Sequence, residues 1–573
     1  MPETSDQRAL AVSLSARADD ELARLFRQRD VSASATWRDT FDAADALLDP
    51  ASVARALPPL TRAEATALVS AAADGIPVPP EKRPDLVARA LVRDDGLPYA
   101  SVAAAVHDIF PDGIPDAAPA RHDRPPASDA AAEAAFTNAA ALADVLLATL
   151  DAPLGRIGSG SLGATERRRL VDAGAVATPE EADLLVGIAA SVSLLGSTGR
   201  AWLVTATGRA WLRLPTLERW RHTALALRDA LPRAYRTLEG GWIPSEEWPT
   251  ALPFDPAGRE RAGRWQQRFR AWGLIDAAGA VPPWGIGLAA GEDTDVSALR
   301  DLLPPEVDRV YLQNDLTAIA PGPLAPHLDV RLRSMATRES RAQASSYRFS
   351  AATIGAAITG GETAESLREF LSGLSLTGLP QPLAYVIERT AAQHGRVRVA
   401  GDPASRLTRV TTSDPTLLQA MEVDQSLRSI ALTRTDDALV SHVATDVVFW
   451  ALTDAHYPAV AVDDEGAPRT LERARLAADT APVDPLETYG PLIARVRAGG
   501  EDSDAAWLER ELDQAVRARA VLDVTVRLPD GSSRVFRLEA TGLGGGRLRG
   551  RDRGADVERT LPLSHIDGVT LVE

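Results

Sequence analysis

Over residues 1–111 the apolar positions recur in short blocks at helical spacing. In "LTRAEATALVSAAADG", Thr61 and Glu64 stand in the S/T-x-x-E arrangement that caps a helix, an Ala/Leu/Val face follows, and Gly75 ends the pattern. Periodicity is lost in "PDGIPDAAPARHDRPPASD", which reads as a linker over 112–130. From 131 to 300 the blocks are longer. A helix near 164–172, the turn "AGAVA", a helix opened by Thr178, Pro179 and Glu181, and the two β-like runs of "VSLLGSTGRAWLV" give the order of a winged helix. A looser second example follows. In "GRERAGRWQQRFRAWGLID", Trp265, Phe269 and Trp272 fall at i, i+4 and i+7, and "LIDAAGAVPPWG" stands where its wing belongs.

The pattern turns α/β over 301–475, with β-rich runs in "RVYLQNDLTAIAPGPL" and "SSYRF" and helices opened by Ser350, Thr363 and Pro382. Residues 476–500, with "AADTAPVDPLETYGP", read as a second linker. The last segment, 501–573, reads as an amphipathic helix followed by five short strands, with a turn at Asp530 and Gly531. Five strands in so short a run predict a small β-barrel. The expected fold class is therefore multidomain α+β: an N-terminal helical unit, tandem winged helices, an α/β domain and a C-terminal barrel.

Composition narrows the chemistry. The 573 residues contain no cysteine, which removes disulfides, thiolate nucleophiles and cysteine-ligated metal. The eight histidines never fall three or four apart, so no helix offers paired imidazoles, and no metal site is expected. Lys82 is the only lysine and follows no glycine-rich loop, so there is no Walker A motif and no Schiff-base lysine. Gly373 and Ser375 fall short of a nucleophile elbow because Thr377 takes the place of the last glycine. No cofactor is expected. Every apolar run reads as broken before the length of a membrane span, so a cytoplasmic location, nucleoid included, is expected with no membrane contact. The formal net charge is -17, which repels nucleic acid on average and makes any contact with DNA local.

The run "VYLQNDLTAIAPGPLAPHL", with "SSYRFSAATIGAAITGG", "LREFLSGLS" and "LPQPLAYVIERTAAQHGRVRV" after it, resembles the actinobacterial helicase-associated proteins that share a domain with the N-terminal region of the XPB DNA-repair helicase. The resemblance is specific over about 308–400, where the Pro-Gly-Pro-Leu and Pro-Gln-Pro-Leu turns and Tyr-Arg-Phe recur in order. It implies an XPB N-terminal-like domain over 301–475 and an XPB-like DNA helicase as partner. The C-terminal segment is similar to WYL domains in its strand pattern and its final "SHIDGV", although Arg547, Leu548 and Arg549 stand where the Trp-Tyr-Leu tripeptide would fall.

Two arginine sets are candidate nucleic-acid contacts. On a strand, Arg547, Arg549, Arg551 and Arg553 share one face, with Gly544 to Gly546 permitting the bend before them. Four like charges on one face repel unless something acidic meets them, and that partner is either phosphate or an acidic surface of the same chain. On the helix over 258–272, Arg261, Arg264 and Arg268 fall at i, i+3 and i+7. By contrast, the second helix of the first winged unit begins with Glu180, Glu181 and Asp183, which suit a helix dipole but repel phosphate. The tryptophans between 202 and 284 follow helical and hairpin spacing and read as core rather than base platforms. The resulting expectation is a non-enzymatic adaptor that docks an XPB-like helicase and contacts DNA in repair or transcription-linked remodelling. The alternative is a winged-helix transcription regulator whose WYL-like domain senses a ligand or nucleotide.

Overall fold

A computed structural model describes all residues except 1–5, 117–125, 159, 342–343, 403–404, 474, 479–482, 499–507, 509–511, 514, 529–531 and 572–573. The expected turn at Asp530 and Gly531 and most of the helix over 501–519 lie outside the described residues. The chain divides into two compact units, one made of residues 1–119, 247–262 and 481–573, the other of 120–246 and 263–480. The structure is mixed helix and sheet, with four separate sheets among the described residues.

In the first unit, seven helices between Asp6 and Ile109 enclose a core that includes Leu10, Leu22, Phe26, Leu47 and Leu68. The Thr61 cap forms as its sequence requires: Glu64 N donates to Thr61 Oγ1, Thr61 N donates to Glu64 Oε2, and Gly75 closes the helix at φ 66°. Arg29 is buried among these helices, where its guanidinium donates to the carbonyls of Arg89 and Ala90 and to Ser52 Oγ; burial lowers its pKa to about 10. The stretch 476–500, expected as a linker, carries the helix Pro485–Ala498. Tyr489, Leu492, Ile493 and Val496 bury its inner face in the same core, and Tyr489 Oη donates to Val31 O at 2.9 Å.

Five antiparallel strands close the first unit's sequence, ordered 557–562, 547–552, 533–544, 521–527, 566–571 across the sheet. Leu522, Val524, Leu538, Leu548 and Ile566 build its core with Leu512 and Ala515. The strand count matches the expectation, but the barrel does not close: no ladder joins 557–562 to 566–571. The short connection nonetheless curls the sheet. Only Leu563–His565 links these two edge strands; fully stretched it reaches about 14 Å, whereas four flat strand spacings measure about 19 Å. The sheet is therefore rolled so that its edges approach without pairing. Gly545 and Gly546, at φ 59° and 69°, form the two-residue turn ahead of the arginine strand, as a primed hairpin turn requires.

The second unit opens with the helix Ser128–Asp151, followed by strand Leu154–Gly155, helices Ala164–Asp172 and Pro179–Ser191, and strands Leu195–Thr198 and Ala201–Val204. The last strand is the middle of a three-stranded antiparallel sheet. Thr178 caps its helix by accepting from Glu181 N at 3.1 Å. Contrary to the sequence expectation, Ser128–Asp151 is long and apolar enough to cross a membrane by length and composition, but its apolar face, with Ala135, Ala139, Leu142 and Leu146, is buried inside the fold. The second wing is absent. Residues 274–285 form a turn in which Asp276 Oδ1 accepts from Ala278 N and Ala280 N, and no strand pair. Among the tryptophans, Trp220 and Trp272 each donate the indole N–H to the other's carbonyl, at 2.8 and 3.0 Å, and Trp284 donates to Gly273 O. They are core, as the spacing implied.

Residues 301–475 resolve into two sheets with two cores. The first is four-stranded and antiparallel, ordered 311–312, 317–320, 345–348, 337–341, and packs on helices Ala351–Thr359, Ala364–Leu374 and Gln381–Gln393. The second has six strands, with a parallel pair between Val397–Asp402 and Ala459–Val462. Asp144 ties the long helix to the first of these sheets. Its carboxylate is 2 % exposed and accepts from Arg333 and Arg338, while Tyr347 Oη donates to Asp329 at 2.6 Å nearby.

Candidate nucleic-acid interface

The arginine strand Arg547–Asp552 alternates between exposed and buried positions, so Arg547, Arg549 and Arg551 share the outer face while Leu548, Gly550 and Asp552 point inward. Cross-strand register places Glu539 opposite Arg551 and, one pair further in, Arg537 opposite Asp523. This resolves the sequence alternatives residue by residue. Arg551 pairs with Asp556 at 2.8 Å, Arg553 with Glu539 at 2.7 Å, Arg537 with Asp523 at 2.8 Å and Arg527 with Asp567 at 2.5 Å. The Arg537 hydrogen bond holds the Asp523 carboxyl below its ordinary range. Arg553 lies just past the strand's end. Arg547 and Arg549 have no acidic partner among the described residues; they stand opposite Gly544 and Gly542 on one side and Pro562 and Thr560 on the other. The four-arginine face thus reduces to two cations offered to solvent beside a set of satisfied ion pairs.

The inner face carries a group that sequence reasoning missed. Arg534 and Arg559 place their guanidinium carbons 5.2 and 4.8 Å from the Phe536 ring centroid, and Arg559 also binds Asp552 at 2.5 Å. That hydrogen bond lowers the Asp552 pKa. Alternation at positions 534 and 536 was the available signal.

The helix Gly258–Ala271 does not present its three arginines as one free stripe. Arg261 pairs with Asp255 at 3.2 Å. Arg264 is engaged in an interaction of its own. Arg268 is half-buried over Trp265, 4.8 Å from the ring centroid, and lies against Gly187. Burial lowers its pKa, with Arg264 adding to the effect. The helix Pro179–Ser191 is equally unavailable to a groove. Ala182, Leu185, Val186, Ile188 and Ala189 are buried, Glu180 and Asp183 are its exposed acids, and Asp183 binds Arg167 at 2.9 Å.

Over 308–400, the Pro321-Gly322-Pro323-Leu324 turn lines a cavity of about 990 Å³ together with Phe136, Ala140 and Tyr347. The exposed apolar groups of this region lie elsewhere. Val310 and Ser375 form a parallel bridge, which sets Tyr311 and Leu376 side by side, 44 % and 52 % exposed, and Tyr385 stands 62 % exposed on its helix. Among the described residues no group of three or more His, Asp or Glu side chains is arranged to hold a metal.

No curated protein matches this chain. Residues 310–436, which span the four-stranded sheet and enter the six-stranded one, match the family of the helicase conserved C-terminal domain, and this part of the chain is helicase-related.

Proposed function

We propose that this chain is a non-catalytic adaptor that docks an XPB-like DNA helicase and contacts DNA through local basic surfaces, in repair or transcription-linked remodelling. The observation that carries the reading is the helicase match over 310–436 in a chain whose single lysine follows no phosphate loop. Nucleotide-binding α/β sheets hold phosphate beside a glycine-rich turn at the carboxyl ends of parallel strands. The four-stranded sheet within the matched region is antiparallel throughout. Motor chemistry then belongs to the partner, and Tyr311, Leu376 and Tyr385 are the apolar groups offered for docking.

Capture with the full chain as bait tests this. An XPB-type helicase is retained, and Tyr311→Ala/Leu376→Ala weakens its retention. Absence of any helicase, together with tight binding of one DNA sequence at physiological salt, replaces the adaptor with the transcription regulator. ATP hydrolysis by the purified chain removes the non-catalytic reading.

A further inference from the structure

The three-stranded sheet of the second unit carries a cation pair with no acidic partner among the described residues. The ladder pairs Leu154 with Trp202 and Gly155 with Ala201. Just past the end of the ladder, Arg156 N donates to Arg200 O at 2.7 Å, which brings the two arginines together at the hairpin turn. Like charges held close to one another repel. Such a pair is normally relieved by an acid, as on the C-terminal sheet. Here the sequence withholds one. With 79 acids in 573 residues, neither 152–165 nor 184–217 contains a single Asp or Glu, and these are the segments that build the sheet. Glu166, which lies against Gly155, is engaged by Arg169 at 2.9 Å, and Glu472 is engaged by Arg209 at 3.2 Å.

The surroundings fit an elongated anion. Arg156 stacks over Trp202, 5.2 Å from the ring centroid, which fixes its guanidinium beside the hairpin. Arg156 Nε and Trp202 Nε1 are buried without an acceptor among the described residues, so the outer nitrogens of Arg156 are the ones an anion can reach. Ser197, Thr198, Gly199 and Arg200 form a fully exposed hairpin tip, narrow because Gly199 takes φ 59°. We infer that this hairpin is a nucleic-acid backbone site, in which Arg156 and Arg200 together bind phosphodiester groups. The inference rests on the DNA-contacting part of the reading above and moves that contact in this module from the acidic, buried helix Pro179–Ser191 to the sheet.

The test is fluorescence anisotropy of the full chain with a fluorescein-labelled 30-base-pair duplex over a salt series. The slope of log affinity against log salt changes by about 0.9 for each phosphate neutralised, so Arg156→Ala/Arg200→Ala flattens it by about 2. Because Arg156 also packs on Trp202, Arg200→Glu serves as a second variant, exposed and free of that packing, and it weakens binding further than Arg200→Ala. Parent-like slope and affinity in variants that keep the parent's melting temperature overturn the inference. A variant chain that keeps its DNA binding but no longer captures an acidic polyglutamate peptide overturns it in favour of a protein ligand. Helicase capture is scored on the same samples. If capture persists while the slope is unchanged, the hairpin site fails and the adaptor stands; if the slope flattens while nothing is captured, the adaptor fails and the site stands.

Discussion

Asp144→Ala removes one carboxylate from a buried set of three charges. The parent side chain is 2 % exposed, and Arg333 and Arg338, 20 % and 15 % exposed, both depend on it. The two arginines are not equally stranded. Arg333 keeps Asp329 at 3.8 Å, whereas Arg338 retains no directly bonded carboxylate in a site whose burial already disfavours its charge. Leaving a buried charge unpaired costs about 3–5 kcal/mol. A cooperative unit of roughly 350 residues has a melting entropy near 0.7 kcal/mol/K, so the second unit's transition falls by about 4–7 °C. Scanning calorimetry of the full chain reads this directly. A second variant separates the lost ion pair from lost packing. Asp144→Leu/Arg333→Met/Arg338→Met removes all three charges, and replacing a buried ionic set by apolar side chains of similar size is about neutral. Its transition therefore returns close to the parent's. The reasoning is refuted if Asp144→Ala melts within a degree of the parent, or if the triple variant melts below the single one.

On the C-terminal sheet, Arg547→Ala/Arg549→Ala flattens the salt dependence of DNA binding by about 2, one phosphate for each free arginine, whereas Arg551→Ala/Arg553→Ala, which breaks two internal ion pairs, changes it by less; equal effects contradict the assignment. Gly208→Ala destabilises the second unit by about 1–3 kcal/mol by overpacking, because a Cβ there meets Leu194 O at 2.3 Å, and an unchanged thermal transition contradicts that geometry. Burial lowers the pKa of His394, whose Nε2 lies 3.2 Å from Thr359 Oγ1. Below its ordinary value of 6.5 the unfolded chain binds the proton more readily than the folded one, so stability falls as pH drops through 6.5. His394→Gln makes the denaturation midpoint less pH-dependent between pH 7 and 5.5, and a parent-like dependence rejects the attribution.

What the sequence made legible was local. Thr61, Thr178, Ser350 and Thr363 announce helix starts because a cap is completed within three residues, and each one forms. The Gly545-Gly546 turn and the alternation around Arg547 are equally short-range. The misreadings have particular causes. Apolar residues in "LIDAAGAVPPWG" suggested a wing, but the side chain of Asp276 captures the backbone N–H groups that a strand would need. Pro485 and Pro491 disguised a helix whose buried positions 489, 492, 493 and 496 nonetheless keep helical spacing. The candidate site depended on longer links. Whether Arg551 and Arg553 were free turned on Asp556 and on Glu539 across the sheet, and the partners of Asp144 lie almost two hundred positions away. No periodicity within one segment reports such pairings.

The helix Pro485–Ala498 also sets an order of events during synthesis. It completes the core begun by Leu10, Phe26 and Val53, so the first unit's two main parts are separated in the chain by the whole of the second. As the chain leaves the ribosome, residues 120–480 contain the whole of the second unit, together with 247–262 of the first, and the second unit can close early. The N-terminal helices meanwhile wait, with the apolar surface that Tyr489, Leu492 and Ile493 will cover still open. Nascent chains halted before residue 485 are therefore the ones that a chaperone or protease meets with that surface bare.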